Sequence, residues 1–104
     1  MFIVIFITCA NKNAAKKIAA GLISAKLAAC VNIIEGLDSL FWWKNKVDHA
    51  SEVLLIVKSR KTKLTRIIKK VKSLHSYSTP EIIALPIIAG DKDYLNWIND
   101  SLAH

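Results

Sequence analysis

The chain predicts an α+β sandwich of the ferredoxin-like kind, in the order β-α-β-β-α-β with an extra C-terminal helix. Three observations point to it. Phe2 to Cys9 is an unbroken run of mostly β-branched and aromatic residues, the signature of a strand buried on both faces. Two stretches with apolar residues at helical spacing each follow a strand. Between them lie two extended segments joined at Lys44-Asn45-Lys46, the composition of a tight hairpin. Split β-α-β units of this kind make an antiparallel sheet with two helices on one face.

After the first strand, Asn11 and Asn13 are turn and N-cap residues. Ala15, Ile18, Ala19 and Leu22 then form one helical face, predicting a helix to about Leu27, with Lys12, Lys16 and Lys17 off the stripe. Ala28 to Trp43 reads as the second extended segment, and Gly36 in its middle predicts a bulge or bend. Val47 to Arg60 returns as the third strand around Val53 to Val57. Leu64, Ile67, Ile68, Val71 and Leu74 make the second helical stripe, with Thr62 as its expected N-cap. Pro80 ends any continuation, and Ile82 to Ala89 is the fourth strand. Pro86 cannot donate to a ladder, which makes this strand an edge or gives it a bulge. Gly90-Asp91 turns the chain into a terminal helix with Tyr94, Trp97 and Ile98 on one side.

At 104 residues, with 53% hydrophobic and 22% charged residues, the chain reads as one ordered domain over residues 1–104. The apolar start is too short for a signal segment and no run reaches the length of a membrane span, giving the expectation of a cytoplasmic protein without a membrane partner. Cys9 and Cys30 fit neither a disulfide framework nor a zinc spacing.

The strands are apolar on alternate as well as successive positions: Val53, Leu55 and Val57 face one way, Leu54 and Ile56 the other. Two helices cover only one face of a sheet. The other face therefore needs a cover, and a second copy of the same chain is the simplest one. The adjacent Trp42 and Trp43 point to opposite faces of the hairpin and suit an anchor on a neighbour.

The net charge of +7 is local. Eight basic residues fall between Lys58 and Lys72 with no acid among them. Such a cluster can follow a phosphate backbone, which keeps a nucleic-acid-binding module as the alternative from another class; a solvated lysine-rich face is the reading preferred.

These residues resemble the CutA divalent-cation-tolerance family. The resemblance is carried by Lys26-Leu27-Ala28-Ala29-Cys30-Val31-Asn32, the Trp42-Trp43 pair, Ser51-Glu52-Val53, His75-x-Tyr77-x-x-Pro80-Glu81, Leu85-Pro86 and Tyr94-Leu95-x-Trp97, in family order. It implies a homotrimer similar in architecture to the PII signalling proteins, tolerance of copper and other divalent metals, and no established reaction. Where relatives can carry a cysteine just before the threonine that ends the first strand, Ile7 precedes Thr8 here. Of the metal-ligand positions the resemblance suggests, His75 and Cys30 remain, the imidazole and thiolate that copper favours. Trp42, Trp43, Lys58, Tyr77 and Glu81 are the expected lining of an intersubunit cleft for a metal or a small polar ligand, in the manner of a PII-like sensor. His49 and His104 read as surface residues. No nucleophile motif or phosphate loop is present, so no catalysis is expected.

Overall fold

The structure, a computed structural model, describes residues 1–103, and His104 lies outside the described residues. Four strands, β1 (Phe2–Cys9), β2 (Cys30–Trp43), β3 (Lys46–Arg60) and β4 (Ile82–Pro86), form one sheet in the order β2-β3-β1-β4. Every neighbouring pair is antiparallel. Helices α1 (Lys12–Ser24) and α2 (Leu64–Leu74) cover one face, and α3 (Lys92–Leu102) closes the chain. The ferredoxin-like order expected from the sequence is the order observed.

The core lies between the sheet and the first two helices. Ile3, Ile5 and Ile7 of β1 and Leu55 and Val57 of β3 meet Ile18, Leu22, Ile67 and Val71 from the helices. Ser59, the polar residue within this layer, is wholly buried, and its hydroxyl donates to the Leu27 carbonyl at 2.6 Å. That bond removes the desolvation cost an unpaired hydroxyl would carry.

Asn11 caps α1 as expected, its side chain accepting from the Ala14 N–H at 2.8 Å. The helix stops at Ser24 rather than near Leu27 because Lys26 turns left-handed at φ 58°. The Leu27 and Lys26 N–H groups then donate back to the Leu22 and Ile23 carbonyls at 3.0 and 3.1 Å, a Schellman end that returns Leu27 to the core. Thr62 is not the cap of α2; it sits in a single 3-10 turn, Lys61–Lys63, and no side chain caps the helix that follows. β4 ends at Pro86, not Ala89, because the ring supplies no donor there; one further bond, Ile87 N–H to the Phe2 carbonyl, follows it.

Gly36 is the bulge, at φ 82°, where the β2–β3 register shifts between Ile34 and Leu37. Seven more cross-strand pairs, Leu37–Glu52 to Trp43–Lys46, lie beyond the last pair that β3 makes with β1, Cys9–Val53. The hairpin thus overhangs the body by about 20 Å, which makes the molecule long and narrow at 44 × 25 × 23 Å. Lys44 and Asn45 both take positive φ in its two-residue turn, the I′ geometry that matches the twist of the strands.

The rear face of the sheet is apolar, as its strands indicated. α3 covers one part: Ile98 and Leu102 are buried outside the main core cluster, and the Arg60 guanidinium reaches Asn99 at 2.7 Å while stacking over Phe2. The rest is open. Ile34, Ile83 and Leu85 each leave between 43% and 51% of their surface exposed.

Candidate functional site

Where β3 leaves the sheet body, Glu52 is nearly buried. Its position on β3 shares the rear face with Leu54 and Ile56, so a carboxylate ends an apolar row. The loop after α2 supplies its partner. The Tyr77 hydroxyl donates to Glu52 Oε2 at 2.9 Å. Burial, and then this bond to Glu52, pushes the Tyr77 phenol up to about 12. Burial, and then the Glu52 charge, likewise pushes the Cys9 thiol up to about 11.

His75 holds that loop. Its Nε2–H donates to the Thr8 carbonyl at 2.7 Å, and its Nδ1 accepts from the Tyr77 N–H at 3.0 Å. Its ring lies 4.7 Å from the Tyr77 ring. Both ring nitrogens are therefore spent on backbone groups, and the imidazole is in the tautomer with the proton on Nε2.

Between this loop and the overhanging hairpin runs an open groove of about 840 Å³. Trp42, Trp43, Tyr77 and Glu81 line it, as the sequence suggests, together with Glu52, Thr8, Asp38, Asp48 and His49. Neither tryptophan is packed in the core; Trp42 is 75% and Trp43 48% exposed. The groove has one aromatic wall on the hairpin and carboxylates at its floor and rim.

Two expected residues lie elsewhere. Lys58 is not in the groove. It is six residues from Glu52 on β3, about 20 Å along an extended strand, and its Nζ contacts the Asn32 side chain and lies 4.0 Å from Cys30 Sγ. Cys30 pairs with Lys58 at that far end, while His75 reaches Thr8, opposite Leu54. His75 and Cys30 are thus not brought together within one chain, because the register separates them by four residues of β3. Among the described residues no three His, Cys, Asp or Glu side chains converge on a cation position. The residue sequence reasoning missed is Glu52. A lone acid at the start of an otherwise apolar strand, on the rear-facing parity, is the signal that could have found it.

Fold and groove together define a ferredoxin-like α+β protein with an overhanging hairpin and an open aromatic and acidic cleft. The family model of the CutA1 divalent ion tolerance protein matches residues 3–101, and the chain belongs to that family. It is 48% identical over 99 residues to Protein CutA 1, chloroplastic, of Oryza sativa subsp. japonica, covering 95% of this chain and 56% of the rice protein. It is 41% identical over 98 residues to the divalent-cation tolerance protein CutA of Thermus thermophilus, covering 94% of this chain and 95% of that one. The solved structure of the periplasmic divalent cation tolerance protein CutA from Archaeoglobus fulgidus superposes with a TM-score of 0.96 at 43% identity, covering 99% of this chain and all of that one. The chain spans a little over half the length of the plant relatives it matches.

Proposed function

We propose that this protein serves divalent-cation tolerance as a cytoplasmic homotrimer that binds a divalent metal, copper among them, or a small polar ligand in a cleft shared between subunits. The observation that carries the reading is the overhanging hairpin. It projects Leu40, Trp42, Trp43 and Val47 into solvent beside an acidic groove, while the rear of the sheet stays apolar and open. Fully burying a Leu- or Ile-sized side chain is worth about 1.5–3 kcal/mol, so covering these faces with copies of the chain is strongly favoured. Two neighbours closing a cyclic trimer would cover both the rear face and the hairpin.

Assembly also bears on the metal. A closed site needs more donors than one chain brings together, so the groove carboxylates Glu52 and Glu81, with Asp48 and His49, would be completed by a neighbour. His75 enters this reading only by giving up a backbone bond, and Cys30 only with donors from another subunit. The reading includes no catalytic step. A PII-like sensor of a small polar ligand uses the same groove and is favoured by the aromatic wall, which suits an organic molecule better than a bare ion.

The test is light scattering at micromolar concentration, paired with calorimetric titration of copper and zinc. A trimer is expected for the native chain. Ile83→Lys with Leu85→Lys, which charges the open rear face, is expected to give monomers and to weaken metal uptake. A native chain that scatters as a monomer overturns the assembly, and a trimer that takes up neither metal overturns the metal reading.

A further inference from the structure

The helix layer separates charge more sharply than the composition suggests. Residues 11–29 and 61–75 carry ten of the fifteen basic side chains and none of the eight acidic ones. The rest of the chain is therefore net acidic. Within this layer a single cation, Lys12, has an acidic partner, Glu35 at 3.4 Å, and this is the one ion pair among the described residues. Lys16, Lys17, Arg66, Lys69 and Lys72 are exposed and have no acidic partner among the described residues.

Helix stability does not account for this. Neither α1 nor α2 has an acid in its first turn, where the macrodipole favours one. Lys12 stands in the first turn of α1, and Lys61, Lys63 and Arg66 surround the start of α2, where cations are disfavoured. No glutamate offers either helix a stabilising pair at four residues' spacing. Solubility would be served equally by mixed charges. Lys72, in the last turn of α2, suits the dipole, but the cations at both helix starts oppose it, and a surface that also repels itself is best explained by a polyanion that neutralises it.

The shape narrows the partner. α1 runs from the Cys9 end of the sheet to the Ser59 end, and α2 runs back to Thr8, so the two helices lie antiparallel side by side. Their axes are about 8–10 Å apart, the usual packing distance. Cations therefore stand in two rows on a stiff, sheet-backed plate. Long lysine and arginine side chains on two such rows can reach the phosphate strands on either side of a groove about 12 Å wide. No aromatic side chain interleaves the rows, which disfavours stacking on single strands. Ile23 is the exposed large apolar residue on this layer, too little to enter a bilayer.

We infer that the outer face of α1 and α2 is a sequence-independent docking surface for the phosphate backbone of a duplex nucleic acid. It lies on the opposite side of the sheet from the open rear face, so it does not depend on the cleft proposed above. The experiment is fluorescence anisotropy of a labelled duplex of about 20 base pairs with the full chain over a salt series. The native chain is expected to bind at low salt and to weaken steeply as salt rises. Arg66→Glu with Lys69→Glu is expected to lose roughly tenfold or more in affinity and to lower the log–log salt slope by about two. Lys46→Glu with Lys92→Glu, the same charge change outside the layer, is expected to leave binding within about twofold. Lys69→Gln with Lys72→Gln repeats the test more gently should charge reversal unfold the chain, and circular dichroism melts report folding in every variant. The inference is overturned if the native chain does not bind at low salt. Equal loss in the layer and control variants, or binding to vesicles of mixed phosphatidylserine and phosphatidylcholine but not to the duplex, overturns it too.

Discussion

The Tyr77 hydroxyl donates to the Glu52 carboxylate at 2.9 Å, joining the loop after α2 to the strand position where the hairpin leaves the sheet. One hydrogen bond thus ties the loop side of the groove to its floor. Tyr77→Phe leaves a nearly buried carboxylate without its donor and is expected to cost about 1–3 kcal/mol. Glu52→Gln keeps an acceptor for the hydroxyl and is expected to cost less. Urea unfolding of the two variants checks the order; equal stability in Tyr77→Phe and the native chain would mean the bond contributes nothing.

His75 braces the loop through two backbone groups, the Thr8 carbonyl and the Tyr77 N–H. His75→Ala is expected to destabilise the fold by about 1–3 kcal/mol, since both lose their partner. Copper affinity of the folded variant is expected to stay within about twofold of the native value, because the ring nitrogens are already occupied. A large drop in affinity at unchanged stability would instead make His75 a ligand.

Alkaline pH should loosen the structure. Burial holds the Cys9 thiol at about 11 and the Tyr77 phenol at about 12, against ordinary values of 9.0 and 10.0. The folded chain therefore keeps protons that the unfolded chain releases. That contribution is whole below pH 9 and is lost as pH rises through the folded values. Melting temperature is expected to fall between pH 9 and pH 12, with a shallower slope above pH 10 in Tyr77→Phe and a shallower onset in Cys9→Ala. Parallel curves in all three chains would refute the assignment.

Two lysines hold left-handed backbone that glycine adopts more readily: Lys26 at φ 58° and Lys44 at φ 51°. Lys26→Gly, at the Schellman end of α1, is expected to raise stability by about 0.5–1 kcal/mol. Lys44→Asn with Asn45→Gly gives the turn its preferred pair and is expected to slow hydrogen exchange along the overhanging hairpin. Faster exchange there would show that the present turn is already optimal.

Local chemistry in the sequence determined the element order, the Asn11 cap, the Gly36 bulge and the edge character of the strand with Pro86, because each depends on residues a few positions apart. The apolar rear of the sheet was equally legible, since period-two patterning is a property of the strand alone. Tertiary structure decided the site. Glu52 meets Tyr77, and the hairpin tryptophans come to line the same groove, only because β3 overruns β1 and the loop after α2, braced by His75, returns to Thr8. The same register carries Lys58 and Cys30 to the far end of the sheet, though their chemistry alone suited the cleft. Residue type states what a side chain can bind; strand register, a long-range property, sets what it stands beside.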